Sequence, residues 1–137
     1  MADTISKAHR SWNMSRIRGR DTAPERAVRA ALRGMRYKML LYSKDIPGRP
    51  DIILPRRKTA VFVHGCFWHR HTHCKYAYTP KTRVAFWKRK FAENVGRDEV
   101  VRHLLRQMGW RRVVIWECQT GDEARLCRRL RNLLRSS

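Results

Sequence analysis

A chain of 137 residues with 42% hydrophobic content can build one core of its own and is too short for two domains. Thirty-two lysines and arginines against eleven acids leave a formal net charge of +21, more than solubility requires, and so much one-signed charge is relieved by a polyanion. Nucleic acid is therefore the expected partner. The arginine forks suit phosphates and base edges, although composition alone fits a ribosomal or chromatin-packing role equally well. No apolar stretch approaches a membrane span, and Met1-Ala2-Asp3-Thr4 begins no secretory core, so a cytosolic location is expected. Four cysteines in such a compartment point to metal or burial and not to disulfides.

Residues 1–20 are polar and basic, with Lys7, Arg10, Arg16, Arg18 and Arg20 around Trp12, Met14 and Ile17, and read as an arm that orders on a partner. The domain proper is expected over 21–137. Thr22-Ala23-Pro24-Glu25 is a helix start, with Thr22 as cap, Pro24 in the first turn and Glu25 at the capping-box distance. Ala27, Val28, Ala31, Leu32 and Met35 form its buried stripe. Tyr37–Leu41 predicts a strand, Ile46–Pro50 a rigid turn, Asp51–Leu54 a second strand and Ala60–Val63 a third. The short stretch between the last two, broken by Pro55-Arg56-Arg57-Lys58, suits a hairpin. A loop then runs to about Pro80. Helices are predicted from Thr82 to about Asn94 and again around Val100–Met108, followed by a strand over Arg112–Cys118 and a last helix from Asp122 to about Leu134. This order gives a mixed central sheet flanked by helices.

The chemistry gathers after the third strand, in His64-Gly65-Cys66-Phe67-Trp68-His69-Arg70-His71-Thr72-His73-Cys74. Cys66, Cys74 and Cys118 with one imidazole, His71 or else His73, would make a closed tetrahedral zinc set, and a loop with little apolar matter would gain its order from the metal. The rival reading makes the cysteines small buried apolar residues, which suits Cys127 best. Asp51 opens its strand beside basic turns, where a carboxylate can hold Mg2+ against a phosphate; otherwise it is a turn residue. A hairpin brings Asp51 and His64 to one end of the sheet, with the Val63 carbonyl as a further oxygen and His69 able to shuttle a proton. Phe67 and Trp68 sit side by side in a polar loop, either exposed to wedge between bases or shielding the zinc, and Trp87 shares the ambiguity.

Gly48-Arg49-Pro50-Asp51, Val61-Phe62-Val63-His64-Gly65-Cys66-Phe67-Trp68-His69, Phe86-Trp87, Arg97-Asp98, Gly109-Trp110-Arg111 and Val114-Ile115-Trp116-Glu117-Cys118 together resemble the very short patch repair (Vsr) endonucleases, from about Ser11 to Cys118. The resemblance implies a restriction-endonuclease-like fold with a structural zinc. It implies Mg2+-dependent nicking of one DNA strand 5′ of the thymine in a T·G mismatch left by deamination of 5-methylcytosine. Asp51 and the Val63 carbonyl would hold Mg2+, and His64, His69 and Glu25 would be the catalytic residues. Cys66, Cys74, Cys118 and His71 or His73 would hold Zn2+, while Phe67, Trp68 and Trp87 would enter the DNA beside the mismatch. The basic arm would grip the opposite groove. A monomer suits an asymmetric lesion, and mismatch-repair proteins are conceivable partners. Val63 stands where the family carries a hydroxyl residue, which a backbone ligand survives. Arg56, Arg57, Arg83 and Arg89 add charge that favours looser substrate choice. Two other readings stand beside this one: a nicking or restriction nuclease with other substrates, and a non-enzymatic zinc-containing nucleic-acid-binding protein.

Overall fold

Helix α1 (Ala23–Gly34) begins where Thr22 caps it, its hydroxyl accepting the Glu25 amide at 3.4 Å. The capping box is displaced by one residue, because the Glu25 carboxylate accepts from the amide of Asp21 (3.0 Å) and not from that of Thr22. The computed structural model describes residues 21–135, so the arm expected over residues 1–20 lies outside the described residues. Strands β1 (Leu40–Leu41), β2 (Ile52–Leu54), β3 (Thr59–His64) and β4 (Arg111–Trp116) form one sheet in that order. β1–β2 and β2–β3 are antiparallel and β3–β4 is parallel. The Pro55–Arg57 3-10 turn closes the β2–β3 hairpin.

Helix α2 (Val84–Gln107) covers one face of the sheet through Leu105 against Ile53, Ala60 and Phe62. α1 and α3 (Glu123–Arg135) cover the other, where Val28, Leu32, Leu126, Leu130 and Leu134 meet Ile52, Leu54, Val61, Val113 and Ile115. Burial on both faces explains why β2 and β3 read as continuous apolar runs. The result is a mixed α/β fold with a four-stranded sheet flanked by helices. Among the described residues no helix is long and apolar enough to cross a membrane.

Three expectations need correction. The two helices expected on either side of residues 95–99 are one 24-residue helix; Gly96 weakens a helix by only about 1 kcal/mol and does not end it. The first strand shrinks to Leu40–Leu41, both exposed at the sheet edge. β4 ends at Trp116, and Cys118 lies in the following 3-10 turn, Glu117–Gln119.

The turn before β2 is built around Gly48, whose φ of +81° favours glycine, and an added Cβ would stand 2.6 Å from Val101 Cγ1 on α2 and 3.1 Å from Phe62 Cε1. Gly48→Ala is expected to lower stability by about 1–3 kcal/mol and to displace Asp51, three residues on. Thermal unfolding measures the loss; a wild-type melting temperature would mean that the turn relaxes without strain.

Candidate active site and metal centre

Parallel β3 and β4 end side by side, at His64 and Trp116, and the crevice beyond the carboxyl ends of parallel strands is where such sheets bind ligands. A cavity of about 310 Å³ opens there, lined by Glu25, Asp51, Val63, His64, His69 and Asp98 among others. The β2–β3 hairpin puts Asp51 beside the end of β3, and its Oδ2 accepts the Val63 amide at 2.7 Å. Enclosure pushes the Asp51 carboxyl up to about 6; the Val63 hydrogen bond opposes the rise and the Glu25 carboxylate adds to it. Glu25 is buried, and its Oε2 takes hydrogen bonds from the Asp21 amide and from the Tyr42 hydroxyl (3.0 Å each).

His64 and His69 stack face to face, 3.8 Å between ring centroids and 7° between planes. Burial pushes His64 down to about 3, with His69 contributing, so it is a neutral imidazole, and its buried Nδ1 has no hydrogen-bond partner among the described residues. His69 Nδ1 lies 2.6 Å from Asp98 Oδ2 on α2. Burial works hardest against the charge of Asp98, but the His69 hydrogen bond and the nearby charges of His69, His64 and Arg112 together outweigh it and hold that carboxyl below its ordinary value. His64, His69 and Asp98 bring their ligand atoms within 4.8 Å of one another. Parallel stacked rings send their in-plane lone pairs side by side, however, so an oriented imidazole fits this trio better than a shared cation.

Cys66, His71, Cys74 and Cys118 form a second cluster, with their ligand atoms all within 4.8 Å of one another. His71 belongs to it and His73 does not. Cys118 Sγ is 3.4 Å from His71 Nδ1, and the His71 ring is stacked on Trp116 at 4.2 Å. Burial raises the Cys66 and Cys118 thiols, which also crowd one another. Three soft sulfurs and one imidazole in this compass fit a tetrahedral metal. Cys127 lies apart, packed on the core from α3.

Of the two readings of Phe67 and Trp68, exposed wedge or zinc shield, the structure shows neither as first drawn: both are buried, in an aromatic cluster with Trp87 and Phe91. The long helix provides the room to bury them, bringing Trp87 and Phe91 to meet Phe67 at 5.4 and 5.2 Å. Phe67 and Trp68 also line the cavity, whereas Trp87 does not. The loop has ties of its own besides this cluster. The Arg70 guanidinium donates to the carbonyls of Phe67, Ala77 and Tyr78 and lies 3.9 Å over the Phe91 ring.

Sequence reasoning missed Asp98 as a partner of His69, the Arg70 staple, and Glu117, whose Oε1 accepts the Cys66 amide at 3.3 Å. Only the string Arg97-Asp98, carried by the family resemblance, signalled the first; the others are contacts that no local pattern marks.

The chain matches the family model described as DNA mismatch endonuclease Vsr over residues 2–76. It is 42% identical to a type II nicking enzyme, V.XorIIP, of Xanthomonas oryzae pv. oryzae, over 98% of each chain. It is also 42% identical to the DNA mismatch endonuclease Vsr of Escherichia coli, over 92% of this chain and 80% of that one. The type II nicking enzyme V.NmeAIP of Neisseria meningitidis is 38% identical, over 98% and 96%.

Proposed function

The chain belongs to the Vsr DNA mismatch endonuclease family and is a DNA endonuclease, and from that premise we propose that it nicks one strand of duplex DNA 5′ of the thymine in a T·G mismatch, with Mg2+ as cofactor. The observation that carries this reading is the convergence of Asp51, His64, the His69–Asp98 pair and Glu25 on one cavity. The fold would be restriction-endonuclease-like, the working form a monomer in the cytosol, and the arm over residues 1–20 a grip on the far groove.

Asp51 and the Val63 carbonyl are the proposed holders of Mg2+. In an extended strand the N–H and C=O of one residue leave by the same edge, and the Val63 N–H already faces Asp51. The raised Asp51 carboxyl marks a negative group short of positive charge. When bound, Mg2+ supplies stabilisation of charge on the phosphate oxygens. The remaining tasks fall to the chain itself. With its Nδ1 proton given to Asp98, His69 keeps Nε2 as the acceptor for a proton from the attacking water. Neutral His64 can donate one N–H to a phosphate oxygen. Glu25, held by Tyr42 and Asp21, is a second carboxylate at the same wall. Cys66, His71, Cys74 and Cys118 would hold a structural Zn2+. Phe67 and Trp68, at the cavity wall, are the rings best placed to enter a duplex, with Trp87 supporting them from behind.

Strand-labelled T·G and matched duplexes incubated with Mg2+ test this reading. A single nick in the thymine strand of the mismatched duplex alone is expected; equal cutting of matched DNA would replace it with a nicking enzyme of looser choice. Asp98→Asn should lower kcat by about 10²–10⁴ with duplex affinity unchanged, because an amide there no longer favours the Nδ1–H tautomer. Single-turnover nicking beside a binding isotherm checks it; an undiminished rate would leave Asp98 as scaffolding only.

A further inference from the structure

At the end of the sheet opposite the active site, a hollow of about 510 Å³ is lined by Tyr37, Arg57, Arg128, Arg131, Asn132, Leu134 and Arg135. Four guanidinium groups face it and, among the described residues, no carboxylate does. Arg57 comes from the β2–β3 turn and the other three from α3. Two arginines are accounted for by the fold: Arg57 donates to the Leu134 carbonyl and Arg111 to that of Leu133, closing the last turn of α3. Even so, Arg57 Nε and Arg111 Nη1 are buried and have no hydrogen-bond partner among the described residues. Arg57 also lies 5.4 Å over the Tyr37 ring.

Arg128, Arg131 and Arg135 are exposed, and among the described residues no ion pair engages any of them. The nearby acids Asp122 and Glu123 stand at the far end of α3. Positions i, i+3 and i+7 share one helix face, about 4.5 and 6 Å apart along the axis at ~1.5 Å per residue. Like charges held this close repel one another unless an anion lies between them. A protein partner would want an apolar or aromatic anchor. None of the exposed large apolar side chains among the described residues is on α3; those of the helices lie on α2.

We propose that this hollow binds the phosphodiester backbone of a second nucleic-acid segment, distinct from the one in the cavity. β3 separates the two sites by about 17 Å of strand, at ~3.3 Å per residue. With a persistence length of ~50 nm, a duplex in the cavity does not fold back to the opposite end of so small a domain. The protein would therefore hold two DNA segments at once. This stands apart from the mismatch reading, since a chain that nicks any duplex would use the hollow in the same way.

The test titrates the full chain, without added divalent cation, with a T·G duplex of about one helical turn (~10 bp) and follows stoichiometry by sedimentation. Wild type should take up two duplexes at low salt, the weaker one lost with a log–log salt slope of about −3. R128Q/R131Q/R135Q should bind one duplex with unchanged affinity and nick it normally in Mg2+, and R128K/R131K/R135K should regain the second. If the triple glutamine variant fails to fold by circular dichroism, R128Q and R131Q singly should each reduce the slope by about 1. A limit of one duplex in wild type, or retention of the second with its full slope in the glutamine variants, overturns the proposal. So does displacement of the second duplex by inorganic phosphate at equal ionic strength, which would assign the hollow to a free anion.

Discussion

Asp51→Asn should lower nicking by about three orders of magnitude or more while leaving duplex binding intact. The substitution keeps the side chain's shape and its acceptor for the Val63 amide but removes the charge proposed to hold Mg2+. It also carries a signature independent of activity. In the metal-free protein the Asp51 carboxyl titrates at about 6 instead of the ordinary 3.8. The folded state therefore holds this proton more tightly than the unfolded chain does, and the carboxylate costs stability as pH rises from about 4 to 6. A rise of about two pH units corresponds to a cost on the order of 3 kcal/mol at neutral pH. Without Mg2+, Asp51→Asn should consequently melt above wild type at pH 7.5, and the gap should close below about pH 4. His64 shifts the opposite way, but in both proteins alike, so their difference isolates Asp51. Strong residual nicking would overturn the metal assignment; equal melting temperatures at pH 7.5 would overturn the buried-charge account.

Breaking the proposed zinc site should have the other large effect. Cys74→Ser is expected to lose bound zinc by elemental analysis and to lower the melting temperature markedly. Structural zinc contributes up to about 10–16 kcal/mol where it alone orders a fold. The cost here should be smaller, several kcal/mol, because Arg70 and the aromatic cluster hold the loop as well. Nicking should fall too. His71 stacks on Trp116, Trp116 meets the His64 ring edge-on at 5.3 Å, and His64 stacks on His69, so one file of rings joins the thiol cluster to the proposed base. His71→Ala should repeat the metal loss, whereas His73→Ala and Cys127→Ser should not. Full zinc content in Cys74→Ser would remove the site.

What could be read from the sequence was local. Thr22 and Glu25, three residues apart, announced α1, and the short polar gap between apolar runs announced the β2–β3 hairpin and with it the meeting of Asp51 and the end of β3. The ligand types in the loop marked the thiol cluster, although only the fold selects His71 over His73. What stayed hidden depends on distant pairing. Residues 95–99 carry no apolar stripe, so α2 looked like two helices until packing at both ends made it one. The burial of Phe67 and Trp68 follows from that length, and the His69–Asp98 bond spans 29 residues that no periodicity connects.

The unbroken α2 also limits how such a chain can change. On one axis it carries Phe91 against the loop rings, Asn94 bonded to the Trp68 carbonyl, Asp98 on His69, Val101 against Gly48 and Leu105 in the core. At ~3.6 residues per turn, inserting or deleting one residue at exposed Gly96 would swing everything beyond it by about 100°. The loop clamp and the base's partner would then face different directions. Length variation among homologous chains should therefore gather in the surface loops and spare this rod, whose tally of residues is as constrained as their chemistry.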